Sequence, residues 1–260
     1  MILNKFSSFP LAARLKTISL QLITLSLFSC NKTANINSNK AFVSFTHIAY
    51  NVNPLTLRIN GDDVFSAIPF DSATGPPFDT ITSRVSNTSI LDINNNDSFL
   101  TGFLSFRQGA YYSIYVFDTL DPNPSAKNMI ILQNSPPLNS DTTISVRYMN
   151  FSPSLKFGLL LVNTRHGNIP VRSDTFVLAP AVFVGANSSP SAYSFQPILA
   201  GNYNITAFTD SARPAPDSSN FRPMGNFTFS IISNYDFLMI GFGNLDTGQN
   251  KLHFKPVALN

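Results

Sequence analysis

The stretch VSFTHI at residues 43–48 decides the fold class, because its apolar and polar side chains alternate with the period of a β-strand. The stretch VRYMNF at residues 146–151 repeats this pattern 103 positions later. The same offset places Leu57 and Ile59 over Leu160 and Val162. These matches predict a duplicated unit of about 100 residues, the size of one immunoglobulin-like β-sandwich. A chance likeness between alternating strands is the alternative.

Short alternating segments recur along the chain, with Gly, Pro, Asn and Asp between them. They predict strands at residues 55–59, 112–117, 128–132, 143–150, 157–163, 175–178, 182–185, 203–208, 227–232, 237–241 and 252–257. A second likeness joins the halves, since GAY at residues 109–111 resembles GNY at residues 201–203. The sequence therefore predicts an all-β protein with two tandem immunoglobulin-like antiparallel β-sandwiches, at residues 41–138 and 139–260.

The composition supports strands and argues against nucleic-acid binding. The chain has 24 Phe, 8 Tyr and 18 Pro but no Trp, and none of its 14 acidic residues is Glu. This mixture favours strands and turns over helices. Residues 1–29 hold three of the 17 Lys and Arg residues and no acid, so the rest of the chain has 14 of each sign. A neutral chain offers no overall basic surplus to a nucleic acid or to anionic lipid.

Cys30 is the single cysteine, and it ends the stretch LFSC at residues 27–30. A basic segment and an apolar run precede it, and that run is too short for a transmembrane helix. LFSC resembles the lipobox of bacterial lipoproteins, with residues 1–29 as signal peptide and residues 30–40 as a flexible tether. The resemblance implies that lipid on Cys30 anchors the protein in the outer membrane, on the periplasmic face or the cell surface. Simple secretion is the alternative.

Two short motifs carry a family resemblance. HIAY at residues 47–50, followed by Asn60-Gly61, has its counterpart in NFSP at residues 150–153, followed by Asn163. With the later Gly-x-Tyr motifs, this pattern resembles the domain of unknown function 4397 (DUF 4397) of Bacteroidota lipoproteins. The first copy departs from the family pattern, with Ala49-Tyr50 in place of a small residue and Pro. The resemblance implies an extracytoplasmic β-sandwich and brings no catalytic residues.

Few residues are candidates for metal binding or catalysis. His47 takes the position of Asn150 in the other half, which predicts a side chain that hydrogen-bonds the following turn, with a metal ligand as the alternative. DINNND at residues 92–97 is similar to a calcium loop but lacks its central Gly and closing Glu, so a polar turn is favoured over weak calcium binding. We predict no catalytic residue, cofactor or metal site.

Aromatic and hydroxyl side chains are the candidates for contact with glycans. Tyr111, Tyr112 and Tyr115 are candidates for a sugar-stacking platform, but in a Phe-rich sandwich core and cross-strand packing is the favoured interpretation. Triplets in which Asp precedes Ser or Thr resemble the O-glycosylation sequence of Bacteroidota. Their acceptor residues are Ser72, Thr80, Thr119, Thr142 and Ser211.

Together these features predict a non-catalytic lipoprotein of the cell envelope that presents β-sandwiches to an envelope protein or a glycan. One alternative is a glycan-binding accessory of a polysaccharide-uptake system, which requires exposed tyrosines on one face. Another is a hydrolase with an Asp-based site, which requires two aspartates in one cleft.

Overall fold

Strands and connecting turns make up the described part of the chain, as the alternating pattern predicts. The computed structural model describes residues 39–50, 52–74, 78–94, 98–118, 127–136, 142–152, 156–164, 175–181, 184, 193–209, 221–230, 233–240 and 251–259. Residues 39–260 form one compact unit. The predicted signal peptide, Cys30 and the predicted boundary between residues 138 and 139 lie outside the described residues.

The strands fall into two groups along the chain. The first half contributes β1 (Lys40–Ile48), β2 (Leu55–Ile59), β3 (Asp62–Ile68), β4 (Ser72–Ala73), β5 (Asp79–Thr82), β6 (Val85–Asp92), β7 (Ser98–Ser105), β8 (Tyr111–Asp118) and β9 (Lys127–Asn134). The second half contributes β10 (Thr143–Asn150), β11 (Phe157–Asn163), β12 (Thr175–Ala181), β13 (Gln196–Leu199), β14 (Gly201–Phe208), β15 (Phe221–Phe229), β16 (Tyr235–Ile240) and β17 (His253–Ala258).

Four sheets arise from these strands. Sheet 1 has the order β4-β1-β8-β9, with β5 also paired to β1, and sheet 2 has the order β3-β2-β6-β7. Sheet 3 has the order β13-β10-β16-β17, and sheet 4 has the order β12-β11-β14-β15. The predicted all-β class is confirmed. The immunoglobulin-like topology of two tandem domains stays a prediction.

Sheets 1 and 3 are mixed, although antiparallel sheets were expected. The strand β1 runs parallel to β8, and β10 runs parallel to β16, whereas the other described ladders are antiparallel. Parallel neighbours need a long connection. Here the connection from β1 to β8 contains the whole of sheet 2.

The same strand order occurs in both halves, and it corrects one sequence match. The match of residues 43–48 with 146–151 holds, because β1 and β10 occupy the same place in sheets 1 and 3. The match of GAY with GNY is wrong: GAY leads into β8 in sheet 1, but GNY begins β14 in sheet 4, where β6 is its counterpart. The counterpart of β8 is β16. Gly-x-Tyr marks a turn that enters a strand, and a turn does not specify which strand follows.

Three apolar cores hold the sheets together. Between sheets 1 and 2 lie Val43, Phe45, Leu57, Ile90 and Ile114 among others. Between sheets 3 and 4 lie Val146, Leu159, Leu161, Ile205 and Phe237 among others. Between sheets 1 and 3 lie Ile48, Tyr115, Phe117, Met149, Phe151 and Leu238 among others. The sheets therefore stack in the order 2-1-3-4. We call sheets 1 and 2 the first sheet pair, with the first core between them, and sheets 3 and 4 the second sheet pair, with the second core between them. We call the contact of sheet 1 with sheet 3 the junction.

The hairpin between β2 and β3 has the conformation that its sequence predicts. Asn60 has a φ of 54° and Gly61 a φ of 95°. Two successive left-handed residues define the type I′ turn, whose twist matches that of the flanking strands. The turn sets Ile59 opposite Asp62.

The predicted role of His47 and Asn150 is confirmed. Nδ1 of His47 accepts a hydrogen bond from the backbone N–H of Ala49 at 3.3 Å, and Oδ1 of Asn150 accepts one from the N–H of Ser152 at 2.9 Å. Nε2 of His47 lies 3.2 Å from the carbonyl oxygen of Asn53, so this nitrogen carries the proton and donates it. Both side chains therefore hold the turn that follows their strand.

Gly158 provides a test of close packing within sheet 4, where it is the register partner of Phe208. A Cβ atom at this position would lie 2.5 Å from Cζ of Phe208 and 2.8 Å from the carbonyl oxygen of Leu178. We expect Gly158→Ala to lower the free energy of unfolding by about 1–3 kcal/mol, because the added methyl group would crowd the ring of Phe208 and the backbone of Leu178. Urea denaturation followed by far-ultraviolet circular dichroism measures the change. Gly102→Ala is the control, since nothing lies within 4 Å of a Cβ atom there. Equal destabilisation by the two variants would contradict the close approach.

Candidate functional site at the junction

A buried ion pair joins two neighbouring strands in the junction. Arg147 of β10 and Asp236 of β16 are register partners. Nε of Arg147 donates to Oδ1 of Asp236 at 2.8 Å, and Nη2 donates to Oδ2 at 2.6 Å. The two side chains are 2% and 0% exposed. A buried pair is stable only when its remaining polar atoms are also satisfied, so the neighbouring side chains matter.

Sheet 1 supplies these neighbours from the opposite side of the junction. The hydroxyl of Tyr115 donates a hydrogen bond to Oδ2 of Asp236. Nη2 of Arg147 also donates to Oδ1 of Asn134 at 2.8 Å, and Nδ2 of Asn134 donates to Oγ of Ser113 at 2.9 Å. The hydrogen-bond network therefore crosses from one sheet pair to the other.

Tyr115 and Arg147 stay protonated over the neutral pH range. Burial raises the pKa of Tyr115 well above its usual value, and the negative charge of Asp236 raises it further. Burial lowers the pKa of Arg147, but the carboxylate of Asp236 outweighs this effect and the net change is upward. The ring of Phe195 covers the guanidinium, with its centroid 4.8 Å from Cζ. We interpret this arrangement as a structural tie between the sheet pairs.

The first half fills the same two positions with neutral side chains. The parallel register pairs Ser44 with Ser113 in sheet 1, where it pairs Arg147 with Asp236 in sheet 3. The two serine Oγ atoms lie 3.2 Å apart and share a hydrogen bond. The ion pair of Arg147 with Asp236 therefore occurs in the second half alone. Asn134 and Tyr115 of the first half form hydrogen bonds with it.

A second ionic cluster bridges the sheet pairs at one end of the strands. The strand β1 begins at Lys40, and the other end of β1 pairs with β4; we call these the tether end and the far end. Asp71 lies at the far end with a φ of 55°. Nζ of Lys255 donates to Oδ1 of Asp71 at 3.0 Å and also to its carbonyl oxygen. Nε2 of His253 lies 3.2 Å from Oδ2 of Asp71, close enough for an ion pair but without hydrogen-bond alignment.

Two clefts meet at Asp71. One has a volume of about 460 Å³ and is also lined by Val52, Asn53, Pro54, Pro69 and Phe70. The other has a volume of about 370 Å³ and is also lined by Ser72, Ala73, Lys255, Pro256, Val257 and Ala258. Carboxylate, amide, hydroxyl and ammonium groups therefore stand beside apolar walls, which is the chemistry of a site for a polar ligand. The second cleft takes its walls from both sheet pairs.

The cluster holds Asp71 ionised and favours the protonated form of His253. Burial raises the pKa of Asp71, but the contacts with His253 and Lys255 lower it more, so it lies below its ordinary value. Burial lowers the pKa of His253, but the carboxylate of Asp71 and the carbonyl oxygen of Lys251 raise it more, so it lies above its ordinary value. With His253 protonated, these three side chains carry one net positive charge.

The three tyrosines predicted as a stacking platform do not share a surface. Tyr111 is 42% exposed, but Tyr112 is buried against Phe106 in the first core and Tyr115 is fully buried in the junction. Successive side chains of a strand alternate between faces, so Tyr111 and Tyr112 cannot form one platform. The favoured interpretation, core packing, therefore holds for Tyr112 and Tyr115, and the platform of three tyrosines is wrong.

The predicted glycosylation residues differ in their surroundings. Ser72 is half-buried in β4 and lines the second cleft, Thr80 is exposed in β5, and Thr142 is exposed before β10. Thr119 and Ser211 lie outside the described residues. Modification of these residues stays a prediction.

The segment predicted as a polar turn or calcium loop begins with Asp92. Its carboxylate accepts hydrogen bonds from Nδ2 of Asn53 at 3.1 and 3.0 Å and from the backbone N–H of Asn94 at 2.9 Å. Residues 95–97 of this segment are not among those described. Within the described ranges, no three His, Cys, Asp or Glu side chains gather as a metal site would require.

The clefts do not supply the pair of aspartates that the hydrolase alternative needs. Asp71 is the one aspartate among the described residues that line them.

The described strands and turns also include no helix with the length and hydrophobicity of a membrane span.

Sequence reasoning missed the residues of both clusters. For Arg147 and Asp236 a signal existed, since each interrupts an otherwise apolar strand in VRYMNF and YDFLMI. Charges in such strands are rarely buried unless they are paired. For Asp71 there was no local signal, because its partner Lys255 lies 184 residues further along the chain.

Comparison with known proteins gives no assignment: no family model and no curated protein matches the chain. The resemblance to DUF 4397 stays a prediction.

Removal of one charge from the junction should be more harmful than removal of both. We expect Arg147→Met to lower the free energy of unfolding by about 3–5 kcal/mol, because Asp236 stays buried without its partner. Arg147→Met combined with Asp236→Leu should cost less, since no isolated charge remains. Urea denaturation of the three proteins measures the difference. Arg58→Met is the control, because the pair of Arg58 with Asp63 is 37% and 42% exposed, so water screens it and its loss should change the stability little. A double variant less stable than Arg147→Met would refute this account.

The ionic cluster should make stability depend on pH through His253. Its pKa is higher in the folded chain, so its stabilisation is complete below the unfolded pKa of about 6.5 and is lost as the pH rises through the folded value. The pKa of Asp71 is lowered on folding, so its stabilisation is present above about 3.9 and is lost as the pH falls through the folded value. The difference in unfolding free energy between wild type and His253→Gln should therefore shrink as the pH rises above about 6.5. Thermal denaturation across this range measures it, and a constant difference would contradict the ion pair.

Proposed function

We propose that this protein is a non-catalytic lipoprotein of the outer membrane, anchored through Cys30, that binds an envelope protein or a glycan at its far end. The observation that carries this proposal is the position of the clefts around Asp71. They lie near the end of β1 that pairs with β4. The predicted tether joins β1 at its other end, at Lys40. A lipid on Cys30 would thus attach through the end of β1 that is opposite the clefts.

The junction supports a binding role because it fixes the two sheet pairs relative to each other. The second cleft has Asp71 and Ser72 on one side and Lys255 on the other, so its shape depends on the junction. A third core and a buried hydrogen-bond network hold that arrangement. A site that is rigid before the ligand arrives loses less conformational entropy on binding.

The first cleft favours the glycan as the partner and supports the second candidate, a glycan-binding accessory of polysaccharide uptake. Its wall contains the half-buried ring of Phe70, with Asn53 and Asp71 beside it. Sugars combine apolar ring faces with hydroxyl groups, and this wall offers an aromatic contact, hydrogen-bond acceptors and an amide donor.

The anchoring part of the proposal is tested by metabolic labelling of native cells with an alkyne fatty acid. We expect the label on the wild-type protein and its loss in Cys30→Ser, since the hydroxyl of serine does not replace the lipidated thiol. The wild type should fractionate with the outer membrane. Equal labelling of the two proteins, or no label on either, would contradict the anchor.

The binding part is tested by crosslinking in intact cells, recovery through a C-terminal tag and mass spectrometry, with glycan arrays on residues 31–260. We expect Asp71→Asn combined with Lys255→Met to weaken capture of the recovered partner roughly tenfold or more, because two charge-assisted contacts are lost. Asp63→Asn is the control, since Asp63 is an exposed, ion-paired carboxylate at the tether end. Unchanged capture by the double variant would remove the clefts from the proposal.

A further inference from the structure

The tether end of the first sheet pair combines cations, exposed apolar side chains and the entry point of the chain. The backbone at this end is fixed: the carbonyl oxygen of Asn39 accepts a hydrogen bond from the N–H of Ser83 at 2.8 Å. From this arrangement we propose that the tether end is a membrane-docking surface that rests on anionic lipid headgroups. The proposal depends on the anchor at Cys30 proposed above.

Three cations stand together at this end. Lys40, Arg84 and Arg107 are all exposed. Main-chain hydrogen bonds hold them close: the carbonyl oxygen of Lys40 accepts from Gly109 at 2.8 Å, and that of Arg84 accepts from Phe106 at 3.0 Å. None of the three forms an ion pair with a carboxylate of the described residues. Their charges are therefore available to an anionic surface.

The carboxylates near this end do not cancel these charges. Asp62 lies in the hairpin after β2, and Asp63 is neutralised by Arg58 at 2.5 Å. Asp79 pairs with Val43 in the ladder of β1 with β5, three residues inward from Lys40. At the rim itself, Asp62 is the one carboxylate without an ion pair among the described side chains, against three cations.

Exposed apolar side chains accompany the cations. The described residues expose five large hydrophobic side chains, and three of them lie at or near this end: Val85 at 65%, Phe103 at 78% and Tyr111 at 42%. Val85 follows Arg84, Phe103 lies two residues before the end of β7, and Tyr111 begins β8 with its ring stacked on Phe42 at 4.5 Å. Apolar and aromatic side chains among cations are the composition of surfaces that insert into the membrane interface.

The reach of the tether selects the membrane as the occupant. The chain from Cys30 to Asn39 has about ten residues and spans at most about 35 Å when fully extended. A lipid on Cys30 would therefore hold Lys40 within about 35 Å of the bilayer. The nine residues of β1 separate Lys40 from the far end by about 30 Å. The anchor thus concentrates this surface at the headgroups, and no free partner has the same advantage.

The first experiment uses residues 31–260 without lipid, which include the compact unit and all three cores. We expect this protein to sediment with phosphatidylglycerol vesicles at low salt and not with phosphatidylcholine vesicles. Each cation near an anionic surface contributes about fivefold to partitioning, so Arg84→Glu with Arg107→Glu should lower it by about 25-fold or more. The matched control is Lys156→Glu with Lys251→Glu, two exposed lysines before β11 and β17 at the far end. Equal loss in both double variants would overturn the proposal.

The second experiment measures orientation at a tethered surface. A histidine tag in place of residues 1–30 binds vesicles that contain a nickel-chelating lipid and a lipid-attached quencher. Because Cys30 is the single cysteine, a cysteine introduced at Thr82 or Asn94 can be labelled alone. On anionic vesicles we expect stronger quenching of the label at position 82, at the tether end, than at position 94, at the far end. The difference should disappear in the arginine double variant.

The outcomes separate this proposal from the anchor. Equal quenching at the two positions, or the same difference on neutral vesicles, would overturn docking on anionic lipid. Because both vesicle experiments omit the natural lipid, failure to label Cys30 in cells would refute the anchor without altering their result.

Discussion

The salt bridge between Arg147 and Asp236 sets the register of the junction. Side chains of a strand alternate between its two faces, so a shift of β10 by one residue would turn Arg147 out of the junction and into the second core. There it would meet Leu159, Phe237 and other apolar side chains, at the full cost of an unpaired buried charge. The polar network therefore excludes alternative pairings that an entirely apolar junction would tolerate.

The junction also gives sheets 1 and 3 their unusual composition. Each sheet has an apolar core on both faces, and β8 accordingly carries Ile114 towards the first core and Phe117 towards the junction. Sheets buried on both faces favour continuous apolar strands over alternation. The outer sheets 2 and 4 have a core on one face, which is why Phe103 of β7 is left exposed. The position of a sheet in the stack thus explains why strands with similar local sequences bury both faces in sheets 1 and 3 but one face in sheets 2 and 4.

Much of the fold followed from local pattern, and the candidate site did not. The alternation in VSFTHI and VRYMNF identified β1 and β10. The strands β3 to β7 and β13 were not predicted. The segments DTIT of β5 and VSNTSILD of β6, for example, are rich in residues that also mark turns. The equivalence of β8 and β16 required the sheet register, since their sequences share little beyond aromatic alternation. The cluster at Asp71 depends on two residues from the last strand, and no local pattern reports a contact of that range.

The parallel pairing of β1 with β8 has a consequence for how the chain reaches its final state. Ser44 and its partner Ser113 are 69 positions apart in the sequence, and Arg147 and Asp236 are 89 positions apart. Closing loops of this length costs conformational entropy before the hydrogen bonds of the central ladders in sheets 1 and 3 can form. Topologies rich in such distant contacts therefore fold slowly. A chain delivered from its N-terminus presents β1 long before β8 exists to cover it. During that interval an apolar strand with an unpaired edge is open to aggregation, so a chain of this architecture benefits from chaperones that cover β1 until β8 has been made.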